Sequence, residues 1–236
     1  MKKILTTLLL VILSFVAVAQ TNTITFLGIP VDGSKSVIEQ RLRKEKGFFY
    51  EYDLYEEAGF LSGNFNGYRV RVAVYDYNGL VRRVAVILPD VSETQVKIQY
   101  NNLFNQLKNN EKYLYRETDC SGELSEEEDI SYEISVNDKQ YQNVFFYPPW
   151  GTLNEFIKSL KEAENPQDVL EEERFADLVK SSFKDGELDG ASSVLWAMNN
   201  SEGKVWYTIG KATNYGQYHI IIFYDNIKNE PNGEDL

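Results

Sequence analysis

Residues 68–88 read Tyr68-Arg-Val-Arg-Val-Ala-Val-Tyr-Asp-Tyr77, then Asn78-Gly79, then Leu80-Val-Arg-Arg-Val-Ala-Val-Ile-Leu88. Val70, Val72 and Val74 alternate with Arg69, Arg71 and Tyr75, the period of two that turns one face of a strand to a core and the other to solvent. Val84 and Val86 repeat that period in the second run. The pair therefore reads as a β-hairpin about Asp76-Tyr-Asn-Gly79, with Gly79 suited to the left-handed position that closes a three-residue loop with a bulge. Such a loop sets Val70, Val72 and Val74 beside Val86, Val84 and Arg82. A two-residue Asn-Gly loop sets Val74 opposite Arg83 and Arg71 opposite Val86, mixing charge into the apolar face, so the first register is expected. In either, Arg69, Arg71 and Tyr75 share the face opposite the valines.

Upstream, Ser36-x-x-Glu39 has the spacing of a capping box, in which hydroxyl and carboxylate satisfy exposed backbone N–H groups. It predicts a helix with the stripe Val37, Ile38 and Leu42 that stops at Gly47. Phe48 to Glu56 and Leu61 to Phe65 are strand-like by β-propensity. Downstream, Ser92-x-x-Gln95 predicts a second helix with Val96, Tyr100, Leu103, Phe104 and Leu107 at helical spacing. A strand is expected over 112–118. The Glu- and Ser-rich stretch 119–129 reads as a solvated loop and the place for a sub-boundary or insertion. Ile130 to Val136 and Gln140 to Tyr147 read as a second hairpin about 137–139, ended by Pro148 and Pro149. Thr152-x-x-Glu155 opens a helix with Leu153, Phe156, Ile157 and Leu160, and another helix is expected over about 168–183. Lys204 to Ile209 and Tyr218 to Tyr224 are strands, the latter apolar on both faces and so central in a sheet. Short turns between strands and segregated helices predict a two-layer α+β fold, with helices packed on an antiparallel sheet. The two halves share a hairpin-plus-helix grammar, which is compatible with two related α/β modules.

At the N-terminus, Lys2 and Lys3 precede an apolar run from Ile4 to Val18 that ends in Ala17-Val-Ala19. This is the pattern of a secretory signal peptide over residues 1–19, cleaved after Ala19. It predicts export to the periplasm or beyond, with 20–236 as a single α+β domain. The uncharged run is about 17 residues, near the lower limit for a bilayer span, and no basic anchor follows, so no stable membrane anchor is expected. The only cysteine, Cys120, is far from the cleavage point, which leaves no lipid-attachment site and no internal disulfide. The 36 acidic against 24 basic residues, net −12, argue against nucleic-acid backbone binding and favour solubility and basic partners.

The turn residues Phe26-Leu-Gly-Ile-Pro30-Val-Asp-Gly33, the helix end Lys46-Gly-Phe48 and the stretch Leu61-Ser-Gly-Asn-Phe65-Asn-Gly67 before the hairpin resemble a group of uncharacterised secreted bacterial proteins. Their helix-on-sheet architecture is similar to the β-lactamase-inhibitor-protein-like fold, also found in small outer-membrane assembly lipoproteins. The resemblance covers about residues 24 to 110, and loosely the closing strands to Tyr224-Asp-Asn226. It implies binding through a sheet face and no known chemistry. The chain departs from the inhibitor pattern in lacking cysteine pairs, so β-lactamase contacts do not carry over.

The search for chemistry returns little. Nucleophilic catalysis needs an activating base, and the sole histidine is His219, in a central-looking strand. A dyad with Cys120 is outweighed by a structural histidine and an idle thiol. One histidine excludes a histidine-rich zinc site. Asp185-Gly-Glu-Leu-Asp-Gly190 matches part of a calcium loop, but Glu187 stands third and Trp196 twelfth, so it reads as a turn. Gly63-x-x-x-Gly67 lacks the helix and lysine of a phosphate loop. No catalytic residue, metal or cofactor is therefore expected.

Two binding candidates remain. Arg69, Arg71, Arg83 and Tyr75 form a cationic face suited to carboxylate recognition; the competing reading is a face ion-paired to Asp53, Glu56 or Glu57, or covered by a helix. Tyr141, Phe146, Tyr147 and Trp150 flank Pro148-Pro149, where aromatics anchor proteins or stack on sugars; the competing reading is core packing. The expectation is a secreted or periplasmic binding module whose partner is another envelope or secreted protein. The alternatives are a carboxylate-dependent carbohydrate- or peptide-processing enzyme and a structural envelope component.

Overall fold

Three two-residue turns set the strand order at the start of the domain. Leu27-Gly28, Asn66-Gly67 and Asn78-Gly79 all have both residues at positive φ (51° and 78°, 49° and 80°, 50° and 80°). That geometry matches the twist of a hairpin, and asparagine tolerates it best among side-chain-bearing residues. The computed structural model describes residues 23–53, 58–110, 112–115, 120–147 and 201–231, with the short strands at 183–184 and 187–188. The expected signal peptide, the helix over 152–165, the helix over 168–183 except its last residue, and Trp150 lie outside the described residues; Phe183 itself is in a strand.

The strands are β1 (Thr25–Phe26), β2 (Ile29–Pro30), β3 (Phe49–Asp53), β4 (Ala58–Phe65), β5 (Tyr68–Tyr77), β6 (Leu80–Ile87), β7 (Val91–Ser92), β8 (Leu114–Tyr115), β9 (Gln142–Tyr147), β10 (Phe183–Lys184), β11 (Glu187–Leu188), β12 (Gly203–Lys211) and β13 (Gln217–Asn226). The helices are α1 (Lys35–Lys46), α2 (Glu93–Lys108) and α3 (Ile130–Val136), and a 3₁₀ turn follows β13 at Ile227–Asn229. One nine-stranded sheet runs β3-β4-β5-β6-β13-β12-β9-β8, with β7 beside β13. Every pairing in it is antiparallel. Strands from both halves thus share a single sheet, and α1 and α2 pack on the same side of it, giving the two-layer α+β fold.

A cross-strand row shows which side is covered. Val72, Val86, Ile222, Tyr207 and Asn143 are successive partners across five strands, and all five are buried. Against this side α1 sets Ile38 and Leu42, and α2 sets Val96, Tyr100, Leu103 and Phe104. Central β13 carries Ile220 and Ile222 on the covered side, as its two-sided apolar pattern requires. Phe26 in the β1–β2 hairpin closes one end of the core, its ring 5.1 Å from Tyr224 and 5.4 Å from Phe65 between centroids.

The register of the β5–β6 hairpin differs from both expectations. The turn is the two-residue Asn78-Gly79, yet Val74 faces Val84 and Val72 faces Val86. The pairing shifts between Tyr75 and Asp76, whose partners are Arg83 and Val81, so Arg82 is the extra residue of a β-bulge. The bulge reconciles a turn that favours two residues with a core that favours valine against valine, and turns both Val81 and Val84 inward.

The segment 130–136 also departs from expectation. Ile130, Tyr132, Ile134 and Val136 alternate like a strand, but the segment is helix α3, and β9 pairs with β12 instead. Asp129 caps α3 by accepting the Tyr132 N–H at 2.8 Å, and Glu93 at the start of α2 accepts the Ile130 N–H at 2.8 Å. Ile130 and Ile134, four residues apart, face the core, while Tyr132 and Val136 are left exposed, which is the spacing of a helix and not of a strand. Helix α1 starts two residues earlier than the capping box requires, with Ser34 at the N-cap and Val37 facing solvent. Of the expected strand 112–118, Leu114–Tyr115 is a strand among the described residues. The acidic loop is pinned to α2 at Leu124, whose N–H and carbonyl both bond the Asn101 side chain at 2.8 Å.

Candidate binding face of the sheet

The side of the sheet away from the helices carries the other half of each strand's alternation. Two of its rows cross most of the sheet: Ala73, Ala85, Phe223, Trp206 and Val144, and Tyr75, Arg83, Asp225, Lys204, Phe146 and Leu114. The face joins an apolar and aromatic band to a row of charge. Trp206 and Phe223 stack at 4.0 Å between centroids and 19° between planes. The Arg83 guanidinium lies 4.9 Å from the Phe223 centroid and 5.4 Å from that of Trp206.

Asp225 organises this centre. It is fully buried, and its carboxylate accepts Arg83 Nε at 2.6 Å, Arg83 Nη2 at 2.8 Å and Trp206 Nε1 at 2.8 Å, with Lys204 Nζ 3.8 Å away. Arg83 and Asp225 are direct cross-strand partners, which places the planar fork of donors against two oxygens. These hydrogen bonds raise the Arg83 pKa above its ordinary value, against the opposing effect of burial. The cluster fixes the indole and the guanidinium in one arrangement.

Towards the β3 edge two further arginines are paired. Arg71 Nη1 lies 3.3 Å from Asp53 Oδ2, and Arg69 Nη2 lies 3.6 Å from Glu51 Oε2. Arg71 also sits over the Phe60 ring at 4.9 Å and Arg69 over Phe49 at 5.3 Å. Both arginines open onto a cleft of about 640 Å³, walled on the other side by Pro89, Asp90 and Asn214. His219 stands beside it with Nδ1 3.1 Å from Asp90 Oδ1. Its ring covers Gly210, where an added Cβ would come within 2.6 Å of Nε2. Cys120 Sγ accepts the Val144 N–H at 3.3 Å.

Of the eight candidate residues, the structure gathers Arg69, Arg71, Tyr75, Arg83 and Phe146 on this one face. Tyr141 and Tyr147 go to the covered side. Tyr141 is fully buried and donates its hydroxyl to Glu128 Oε1 at 2.6 Å, and Tyr147 packs beside Tyr113. Core packing therefore accounts for Tyr141. The residues that sequence reasoning missed are Glu51, Trp206, Phe223 and Asp225. The alternation of β12 and β13 was the available signal, since Trp206, Phe223 and Asp225 occupy the positions out of phase with their buried neighbours. Among the described residues no group of three or more His, Cys, Asp or Glu side chains could hold a metal ion, and no helix is long and apolar enough to cross a membrane.

What fold and face define together is an α+β sheet protein with one side covered by α1 and α2 and one patterned side on which no described helix packs. No protein-family model, curated protein or solved structure matches the chain.

Proposed function

We propose that this protein is an exported, non-catalytic binding module that holds a protein partner on the sheet face opposite α1 and α2. The observation that carries the reading is the arginine pair at the cleft. Arg69 and Arg71 sit side by side on one strand face, and the Arg69 side chain is 65% exposed beside a concave surface. Arginines in that position can exchange an internal carboxylate for one on a partner, keeping the same planar geometry. Trp206 and Phe223 supply a rigid aromatic surface on the same face, the kind of side chain that anchors interfaces. The resemblance of residues 24–110 to secreted bacterial proteins whose architecture is similar to the β-lactamase-inhibitor-protein-like fold supports recognition through a sheet face, and Lys2, Lys3 and Ala17-Val-Ala19 support export.

The test is capture of partners from envelope extract by the exported chain and by Arg69→Glu/Arg71→Glu, followed by direct titration of any purified partner. The reading expects the charge reversal to weaken a specific partner by about tenfold or more. Equal recovery of every protein by both chains removes the arginine face. Turnover of a polysaccharide or peptide by the purified chain would replace the reading with an enzymatic one. N-terminal sequencing of exported material should begin at Gln20, and retention of residues 1–19 would refute the cleavage.

A further inference from the structure

The strands β8 and β3 end the nine-stranded sheet. At one end the described residues of β8 are Leu114–Tyr115. At the other end, β3 is a five-residue strand, Phe49-Tyr-Glu-Tyr-Asp53, with no proline, lysine or bulge. Its inner edge pairs with β4 from Phe49↔Ser62 to Asp53↔Ala58, and no described residue pairs with its outer edge. A row of backbone N–H and carbonyl groups therefore faces outward, and the complement of such a row is another extended strand.

The side chains on this edge are unusually apolar for one facing water. Phe49 is 48% exposed, Tyr50 61% and Tyr52 53%. Tyr50 is also held in place: its ring lies over Gly59 on β4, where an added Cβ would fall 2.0 Å from the hydroxyl. Tyr50 and Tyr52 point to the helix side of the sheet, while Glu51 at the middle of the strand points to the opposite side. Glu51 accepts a hydrogen bond from Ser62 Oγ, and half its side chain remains exposed.

We infer that the outer edge of β3 accepts an extended segment of a partner protein as a further strand, with apolar residues set against Tyr50 and Tyr52 and a basic residue opposite Glu51. The backbone row defines the partner's conformation, the exposed tyrosines its apolar positions and Glu51 its charge. A second copy of this chain fits less well. Full antiparallel overlap of two β3 strands sets Glu51 against Glu51, between molecules that each carry a net charge of −12. The inference rests on the binding-module reading and adds the mode of recognition.

The test titrates the full chain into three fluorescent nonapeptides and follows anisotropy: alternating Val and Lys, the same peptide N-methylated at alternate residues, and alternating Val and Glu. Expected are saturable binding of the Val/Lys peptide, binding at least about tenfold weaker for the other two, and inversion of the Lys-over-Glu preference in Glu51→Lys. Amides of β3 should gain protection from hydrogen exchange when the Val/Lys peptide is bound to the unaltered chain. Equal affinity for the parent and N-methylated peptides, no saturable binding, or a concentration-dependent dimer that itself protects the β3 amides would each overturn the inference. The peptides need no natural partner, so their failure leaves the Arg69/Arg71 capture test standing, and failure of that test leaves the peptide result standing.

Discussion

The two sides of the sheet hold their polar groups in opposite ways. At the centre of the covered side a network of neutral groups lies between the sheet and its helices: Tyr207 Oη accepts Asn143 Nδ2 at 3.0 Å and donates to the Tyr100 carbonyl at 3.2 Å, while Asn143 also clasps both backbone groups of Gly122. On the opposite side, where no described helix packs, the polar groups are charged and paired, in a graded series. Side-chain exposure of the two partners runs from 24% and 0% for Arg83–Asp225, through 35% and 30% for Arg71–Asp53, to 65% and 50% for Arg69–Glu51. The most buried pair joins the central strands β6 and β13, and the two more exposed pairs both join β5 to the edge strand β3. Where water is excluded a neutral hydroxyl or amide needs only hydrogen bonds, whereas an ion also needs its counter-ion. The same pairing chemistry thus serves stability at the centre and remains exchangeable at the rim.

The largest test of this contrast is alkaline. Burial pushes the Tyr113 pKa up to about 12 and raises those of Tyr100, Tyr207 and Tyr224, and burial with the neighbouring Glu128 raises that of Tyr141. These phenols hold their protons in the folded chain above the ordinary value of 10.0, at which they ionise when unfolded. Their stabilising contribution is complete below that pH and is lost as pH rises past it towards 12. Phenolate absorbance at 295 nm from the covered side should appear only together with loss of near-ultraviolet circular dichroism. Ionisation of these tyrosines with the fold intact would show that the covered side admits water.

The next largest effect lies at the centre of the open side. Asp225→Ala leaves Arg83 half-buried without its counter-ion and the Trp206 N–H without an acceptor, a loss of about 3 kcal/mol in urea unfolding. Asp225→Asn keeps the volume and one acceptor and should lose less. A loss below about 1 kcal/mol for Asp225→Ala would mean that solvent replaces the carboxylate, and that centre and rim are alike.

These pairings were only partly legible in the sequence. The alternation of Val70, Val72 and Val74 was enough to put Arg69, Arg71 and Tyr75 on one face, because a period of two needs only local residues. Of the partners, Asp53 was among the carboxylates expected and does pair with Arg71, whereas Glu51 and Asp225 were not legible, because they depend on register. Glu51 faces Arg69 only through the β3–β4 and β4–β5 pairings, and Asp225 reaches Arg83 across 142 residues of chain. The bulge at Arg82 escaped for a similar reason, since two local preferences conflicted and nothing local decides between them. Helix α3 was misread because its four apolar residues also fit a period of two, and the Glu93 contact that fixes its first turn comes from another element. The second α2 signal was half right: Ser92 is at the N-cap, but its side chain makes no capping bond.

The smallest stability effect and the clearest functional one should coincide at the rim. Arg71→Ala removes a partly buried pair and should cost up to about 1 kcal/mol, and Arg69→Ala, with both partners half or more exposed, about 0.3 kcal/mol. If the grading by exposure means what the comparison implies, stability loss and binding loss should run in opposite order along the series. Asp225→Ala should destabilise most, while Arg69→Ala should leave the unfolding midpoint nearly unchanged and still weaken partner capture. Measuring both quantities on Arg69→Ala, Arg71→Ala and Asp225→Ala separates the two roles directly. A series in which capture tracks stability would make the arginines structural throughout, because a face that binds only when the fold is intact gives the same ranking for both.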